Sequence, residues 1–148
     1  MPLVRTEPAS RSDRIASTIG HERVVSLRAE QVAAWSGGHG FEMIEVACWP
    51  SAGAERRRYS GVSHIDVNNL DVDKVQTTLA EHNLEISSLA YYPNNLHPDP
   101  TDRKAANDHL KKVIDAAAKL GVPTVGTFIG RNPAKNVADN FKEFHRVW

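Results

Sequence analysis

The feature that most constrains this chain is a repeated unit: an apolar strand, a polar loop, then an amphipathic helix closed by Gly or Asn. Glu42–Trp49 (EMIEVACW) is followed by a predicted helix over Asp71–His82, and Glu85–Tyr92 (EISSLAYY) by one over Ala105–Leu120. A third strand, Thr124–Gly130 (TVGTFIG), leads to a last helix over Ala134–Trp148. The strand centres Ile44, Ile86 and Val125 lie 42 and 39 residues apart. Regular alternation of this kind predicts a parallel sheet. In such folds the chemistry gathers at the carboxyl ends of the strands.

The helices carry their own start and stop signals. Asp71 is a plausible N-cap, Val72, Val75 and Leu79 fall on one face, and Asn83 suits the left-handed position past the end. Ala106, Leu110, Val113, Ile114, Ala117 and Leu120 mark the buried side of the next helix, closed by Gly121 and Pro123. In the last helix Val137, Phe141, Phe144 and Trp148 share a face, with Asn132-Pro133 as entry signal and Trp148 read as core-facing. An earlier helix is expected over Leu27–Gly40, with Leu27, Val32 and Trp35 as an imperfect stripe. Before it, Arg14–Ile19 reads as a weak strand, and residues 1–13 as a disordered segment ahead of one domain over 14–148. An end on an aromatic residue directly after an amphipathic helix reads as interrupted. The visible units amount to about half of an eight-unit barrel, whose typical size is about 250 residues.

Composition narrows the function classes. The 148 residues hold 18 Lys+Arg against 18 Asp+Glu, and a zero net charge argues against a dedicated nucleic-acid binder. No apolar run approaches the roughly 20 residues of a membrane helix, and the amino terminus lacks the apolar core of a signal peptide. A single cysteine, Cys48, excludes an internal disulfide. These observations lead to the expectation of a cytoplasmic protein.

Four stretches, FEMIEVACWP (41–50), YSGVSHIDV (59–67), LEISSLAYYPNNLHPDP (84–100) and LGVPTVGTFIGR (120–131), resemble the sugar phosphate isomerase/epimerase family. The resemblance covers roughly residues 26–148. It implies the amino-terminal half of a xylose-isomerase-like (β/α)8 TIM barrel, hence α/β architecture with about four β/α units. It also implies interconversion of sugars or sugar phosphates assisted by a divalent metal (Mn, Mg, Co or Zn) bound by carboxylates and a His. In the family the metal ligands come from strands of the second half, so no metal ligand is carried over. The chain is therefore expected to be inactive alone, and whether it is itself an enzyme stays open. The alternative is a non-catalytic half-barrel, an interaction module or a homodimer closed through its open barrel edges.

Candidate substrate-binding residues stand at the ends of the predicted strands. Trp49 is read as an apolar wall for the sugar. After the next strand, Tyr91, Tyr92 and Asn94 offer hydroxyls and an amide, and alternation sends the two tyrosines to opposite faces. Phe128 and Arg131 finish the third strand, with Arg131 suited to a phosphate or carboxylate. His64 and His97 lie in strand-to-helix loops, and His64 opens the "HID" piece that fits the family pattern. Each of these residues also has a purely structural reading. Cys48 reads as a packing residue, and Glu45, inside a strand, as a structural carboxylate whose partner the sequence does not identify. The Arg56-Arg57-Arg58 run reads as a solvated loop, and His21, His39, His82, His109 and His145 as surface or helix-flank residues.

Overall fold

The computed structural model describes residues 29–50 and 63–148. The expected disordered segment, the weak strand at 14–19, His21 and the Arg56–Arg58 run lie outside the described residues. The elements run α1 (Ala29–Gly38), β1 (Met43–Ala47), α2 (Val72–Glu81), β2 (Glu85–Ala90), α3 (Pro100–Leu120), β3 (Val125–Gly126) and α4 (Val137–Val147). The three strands form one parallel sheet in the order β1-β2-β3. This is a partial barrel wall with strand order following chain order, as the β/α alternation predicts. Among the described residues no helix is long and apolar enough to cross a membrane.

The caps explain most element boundaries. Asp71 accepts from the Lys74 N–H at 3.0 Å and starts α2. Asn83, with φ 53°, follows its end. The expected start of α3 at Ala105 is five residues late. Asp99 accepts from Thr101 and Asp102 N–H at 2.7 and 3.1 Å, and Pro100 takes the first helical position, where no N–H is needed. The first turn is polar, so apolar periodicity misses it. Asn136, not Asn132-Pro133, caps α4 through the Asp139 N–H at 2.9 Å.

One face of the sheet packs on the helices. Ile44, Val46 and Cys48 from the β1 segment and Leu89 and Tyr91 from the β2 segment join Val32 and Ala33 of α1 and Leu110, Val113, Ala116 and Ala117 of α3 in a single core. Ile114 is 49% exposed, because it lies about 100° around the helix from the buried Val113. Trp148, expected to face the core, is also 49% exposed. The paired register slips by one residue after Ile44↔Ile86, so that Glu45 stands opposite Ser88 rather than Ser87. Such bulges re-aim side chains beside functional sites. Beyond it, alternation continues with Val46↔Leu89 and Ala47↔Ala90.

Candidate functional site

The sheet face away from the helices carries a polar cluster built from all three strands. Ser88 Oγ and Tyr92 Oη both donate to Glu45 Oε2, at 2.9 and 2.8 Å. Glu45 thus finds the partners that sequence alone left unnamed. The strand alternation that places Leu89 and Tyr91 in the core leaves Ser88 and Tyr92 for this face. Burial, then the Glu45 hydrogen bond and charge, push the Tyr92 phenol up to about 12. The Tyr92 ring lies 4.9 Å from that of Phe128, which is 60% exposed. Gly126 completes the arrangement: a Cβ there would meet Tyr92 Oη at 2.5 Å and Glu45 Oε2 at 3.4 Å. Any side chain at 126 displaces the phenol.

A second network locks the loops above this cluster. Asn94 Nδ2 donates to the Arg131 carbonyl at 2.7 Å, and its Oδ1 accepts from the N–H groups of Arg131 and Leu96 at 2.9 and 3.1 Å. Gly130, with φ 83°, lets this happen, since a Cβ there would meet Asn94 Oδ1 at 2.1 Å. The fully buried Asn95 donates to the Phe128 carbonyl at 2.7 Å and to Thr127 Oγ1 at 3.1 Å. Asn107 of α3 in turn donates to the Asn95 carbonyl and Oδ1 at 3.1 and 3.2 Å. The loop after β2 is thereby tied both to α3 and to the loop after β3, which carries Phe128 and Arg131.

The candidate residues separate into groups. Phe128 stands beside Tyr92, while Asn94 and Arg131 form the bracket at the rim. Tyr91 goes the other way. It is 3% exposed and packs on His109 of α3 at 4.5 Å, so its ring serves the helix layer, and Tyr92 is the tyrosine on the open face. Trp49 meets Tyr91 edge-on at 5.1 Å and belongs to that stack. His109, expected on the surface, is 7% exposed and donates from Nε2 to the Cys48 carbonyl at 2.7 Å. Its neighbours at i+1 and i+4, Leu110 and Val113, are the signal that it borders the buried stripe.

His64 brackets the end of β1. Its N–H donates to the Ala47 carbonyl at 2.8 Å, and its Nδ1 accepts from the Ala47 N–H at 3.2 Å. Burial holds its pKa below the usual 6.5. Cys48 is buried, and desolvation, opposed by an Ala90 backbone bond, raises its thiol to about 12.

The donor set does not fit the divalent metal that the resemblance implies. Among the described residues no three His, Cys, Asp or Glu side chains converge. Glu45 Oε2 already holds two hydroxyls, His64 Nδ1 an amide, and His97 Nδ1 the Asp99 N–H at 3.2 Å. No metal-dependent step is assigned to these residues.

Comparison with known proteins agrees with this architecture. A family model described as a xylose isomerase-like TIM barrel matches residues 34–148. No curated protein matches. Among solved structures, a candidate xylose isomerase from Rhodospirillum rubrum aligns over 82% of this chain with a TM-score of 0.53 and 18% identity. The aligned part is 41% of that protein's own length. At this identity the likeness speaks for the fold. With the family model spanning most of the sequence and the parallel β/α wall in place, the chain belongs to the xylose isomerase-like TIM barrel family.

Proposed function

We propose that this chain supplies one wall of the substrate pocket of a cytoplasmic sugar or sugar-phosphate isomerase or epimerase. The observation that carries the reading is the Glu45 carboxylate, oriented by two hydroxyl donors on the open face near the carboxyl ends of parallel strands. Carboxylates and aromatic rings together suit sugars, because the carboxylate accepts from hydroxyls while a ring covers C–H faces. In this reading Glu45, Ser88 and Tyr92 orient hydroxyls, Phe128 covers an apolar face of the substrate, and Arg131 at the rim meets an anionic group where the substrate has one. The divalent metal (Mn, Mg, Co or Zn) of such an enzyme, and its acid/base pair, belong to residues other than those described. When bound, that metal polarises the substrate carbonyl and hydroxyl.

The test is a panel of aldoses and ketoses, presented to the purified chain with Mn²⁺ and followed by ligand-observed NMR and by product analysis. Weak sugar binding without turnover is expected, with Glu45→Gln and Tyr92→Phe each weakening it about tenfold, the range of a lost charge-assisted bond. Robust isomerisation by the chain alone would refute the one-wall reading, and failure to bind any sugar would refute the sugar reading. A second reading, in which the chain works as a homodimer, is favoured by one observation: the apolar side of α4 is exposed at Val137 (72%), Phe141 (58%) and Trp148 (49%).

A further inference from the structure

We infer that the Glu45–Ser88–Tyr92 cluster is a subsite for neutral vicinal hydroxyls, and that it excludes a phosphate from the part of the pocket it lines. The inference rests on the sugar reading above and narrows it to substrates whose inner end is unphosphorylated.

The argument is a count of donors and acceptors. Both hydroxyls of the cluster spend their hydrogens on one oxygen, Glu45 Oε2. The other oxygen, Oε1, takes no bond from any described residue. Tyr92 has a single O–H, and it stays protonated far above neutral pH, so its phenol keeps donating to Glu45. What the cluster offers a ligand is therefore lone pairs only: those of Oε1, of Tyr92 Oη and of Ser88 Oγ. An acceptor-only, negatively charged subsite binds groups that bring hydrogens. Sugar hydroxyls qualify, and two on adjacent carbons can reach Oε1 and Tyr92 Oη together. A phosphate ester brings mainly lone pairs and one to two negative charges. It fails twice, by unmatched acceptors and by like charge.

The surroundings reinforce this selection. Gly126 keeps the phenol in place, since a Cβ there would meet Tyr92 Oη at 2.5 Å. The Phe128 ring, 4.9 Å from Tyr92, presents an apolar face suited to the C–H side of a sugar. The cation on the same loop, Arg131, sits three residues further on, at the rim, where Asn94 brackets its backbone. A phosphate at the far end of the substrate has that partner, and one at the inner end has none among the described residues.

The experiment compares D-fructose with fructose 1,6-bisphosphate, which is charged at both ends, on the full chain by ligand-observed NMR titration. Wild type is expected to bind the neutral sugar at least tenfold more tightly than the bisphosphate. In Glu45→Gln the amide keeps an oxygen for the two hydroxyls and turns an NH2 toward the ligand. Fructose binding then weakens about tenfold, and the preference over the bisphosphate largely disappears. A second readout needs no ligand: in ¹³C-labelled protein the Tyr92 ring carbon reports ionisation near 12, lower in Glu45→Gln, where the charge is gone and burial still holds the phenol up. Equal binding of the two sugars, or a preference that Glu45→Gln leaves intact, overturns the subsite. Binding of neither, with the Tyr92 titration as expected, overturns instead the sugar reading on which it rests, and the inference with it.

Discussion

His64 is a loop histidine bonded to the end of β1. Its backbone and ring both bond Ala47, one donating and one accepting, so the imidazole must keep Nδ1 bare. Protonation would set two N–H groups against each other at the end of β1. Burial lowers its pKa below that of the unfolded chain. A depressed folded pKa means that the unfolded state takes the proton first. The stability is then fully present above about pH 6.5 and is lost as pH falls through the folded value. Glu30, Asp66, Asp71 and Lys74 line the same cavity and set the local field. His64→Asn keeps an acceptor, Oδ1 for Nδ1, that does not titrate. The melting temperature of wild type is expected to drop relative to that variant between pH 6.5 and 5. A difference flat with pH would remove the bracket's role. At this scale the sequence was legible where the rule is local and opaque where the partner is distant. Alternation told that Tyr91 and Tyr92 part company, but not that Tyr92 is the one on the open face. Glu45 has its partners 43 and 47 positions away, and only the strand pairing brings them within reach. Asn95 carries no such signal: nothing nearby in sequence marks a fully buried amide with Asn107, Thr127 and Phe128 around it.

The elements were legible through period and caps: all described strands and helices fall inside predicted segments or extend them. The discrepancies have physical causes. α3 begins at Pro100 because Asp99 caps a turn with no apolar periodicity. β3 is only Val125–Gly126, although TVGTFIG reads as a longer strand, because past Gly126 the chain is held by side chains instead. Asn95 binds Thr127 and Phe128, and Asn94 binds Arg131. Two asparagines thus replace the next ladder bonds, with the chain in a left-handed conformation at Gly130 and Phe128 beside Tyr92. Removing the Asn95 amide takes the donor from the Phe128 carbonyl and from Thr127 Oγ1, and leaves Asn107 Nδ2 with the Asn95 backbone carbonyl alone. Asn95→Ala is expected to cost roughly 3 kcal/mol, the loss of several buried bonds with cavity formation. Asn95→Asp is expected to cost more, because a buried carboxylate would face the Phe128 carbonyl. Denaturant unfolding of the two variants checks the order. If both lie within about 0.5 kcal/mol of wild type, the range of surface changes, the bracket does not hold the loops.

At the scale of the whole molecule, the parallel order β1-β2-β3 and the helix-covered face follow from the β/α alternation, whereas the fate of α4 does not. Its stripe of Val137, Phe141, Phe144 and Trp148 has the spacing of a buried face, yet three of the four are about half exposed or more. The helix is fixed from its polar side instead, by Asn140 Nδ2 and Oδ1 bonding the Asn132 carbonyl and N–H and by the Lys135–Glu143 pair at 3.1 Å. Periodicity reports that a face is apolar; it does not report what lies against it. The magnitudes decide how strongly this face drives association. Covering the exposed halves of Val137, Phe141 and Trp148 gains about 1 kcal/mol each, so two facing stripes supply roughly 6 kcal/mol. Association itself costs at least about 4 kcal/mol, and the surplus is far short of the roughly 8 kcal/mol of a micromolar dimer. Phe128 and Ile129, exposed at 60% and 52%, add to the apolar surface without closing that gap. Weak, reversible self-association that grows with concentration is therefore expected in sedimentation velocity, and Phe141→Glu is expected to abolish it. A tight dimer that survives Phe141→Glu would move the contact from α4 to the edge of β3, where strand pairing adds directional bonds, and would favour a closed barrel of two copies. A monomer at every concentration would mean that the exposed α4 stripe does not drive association by itself.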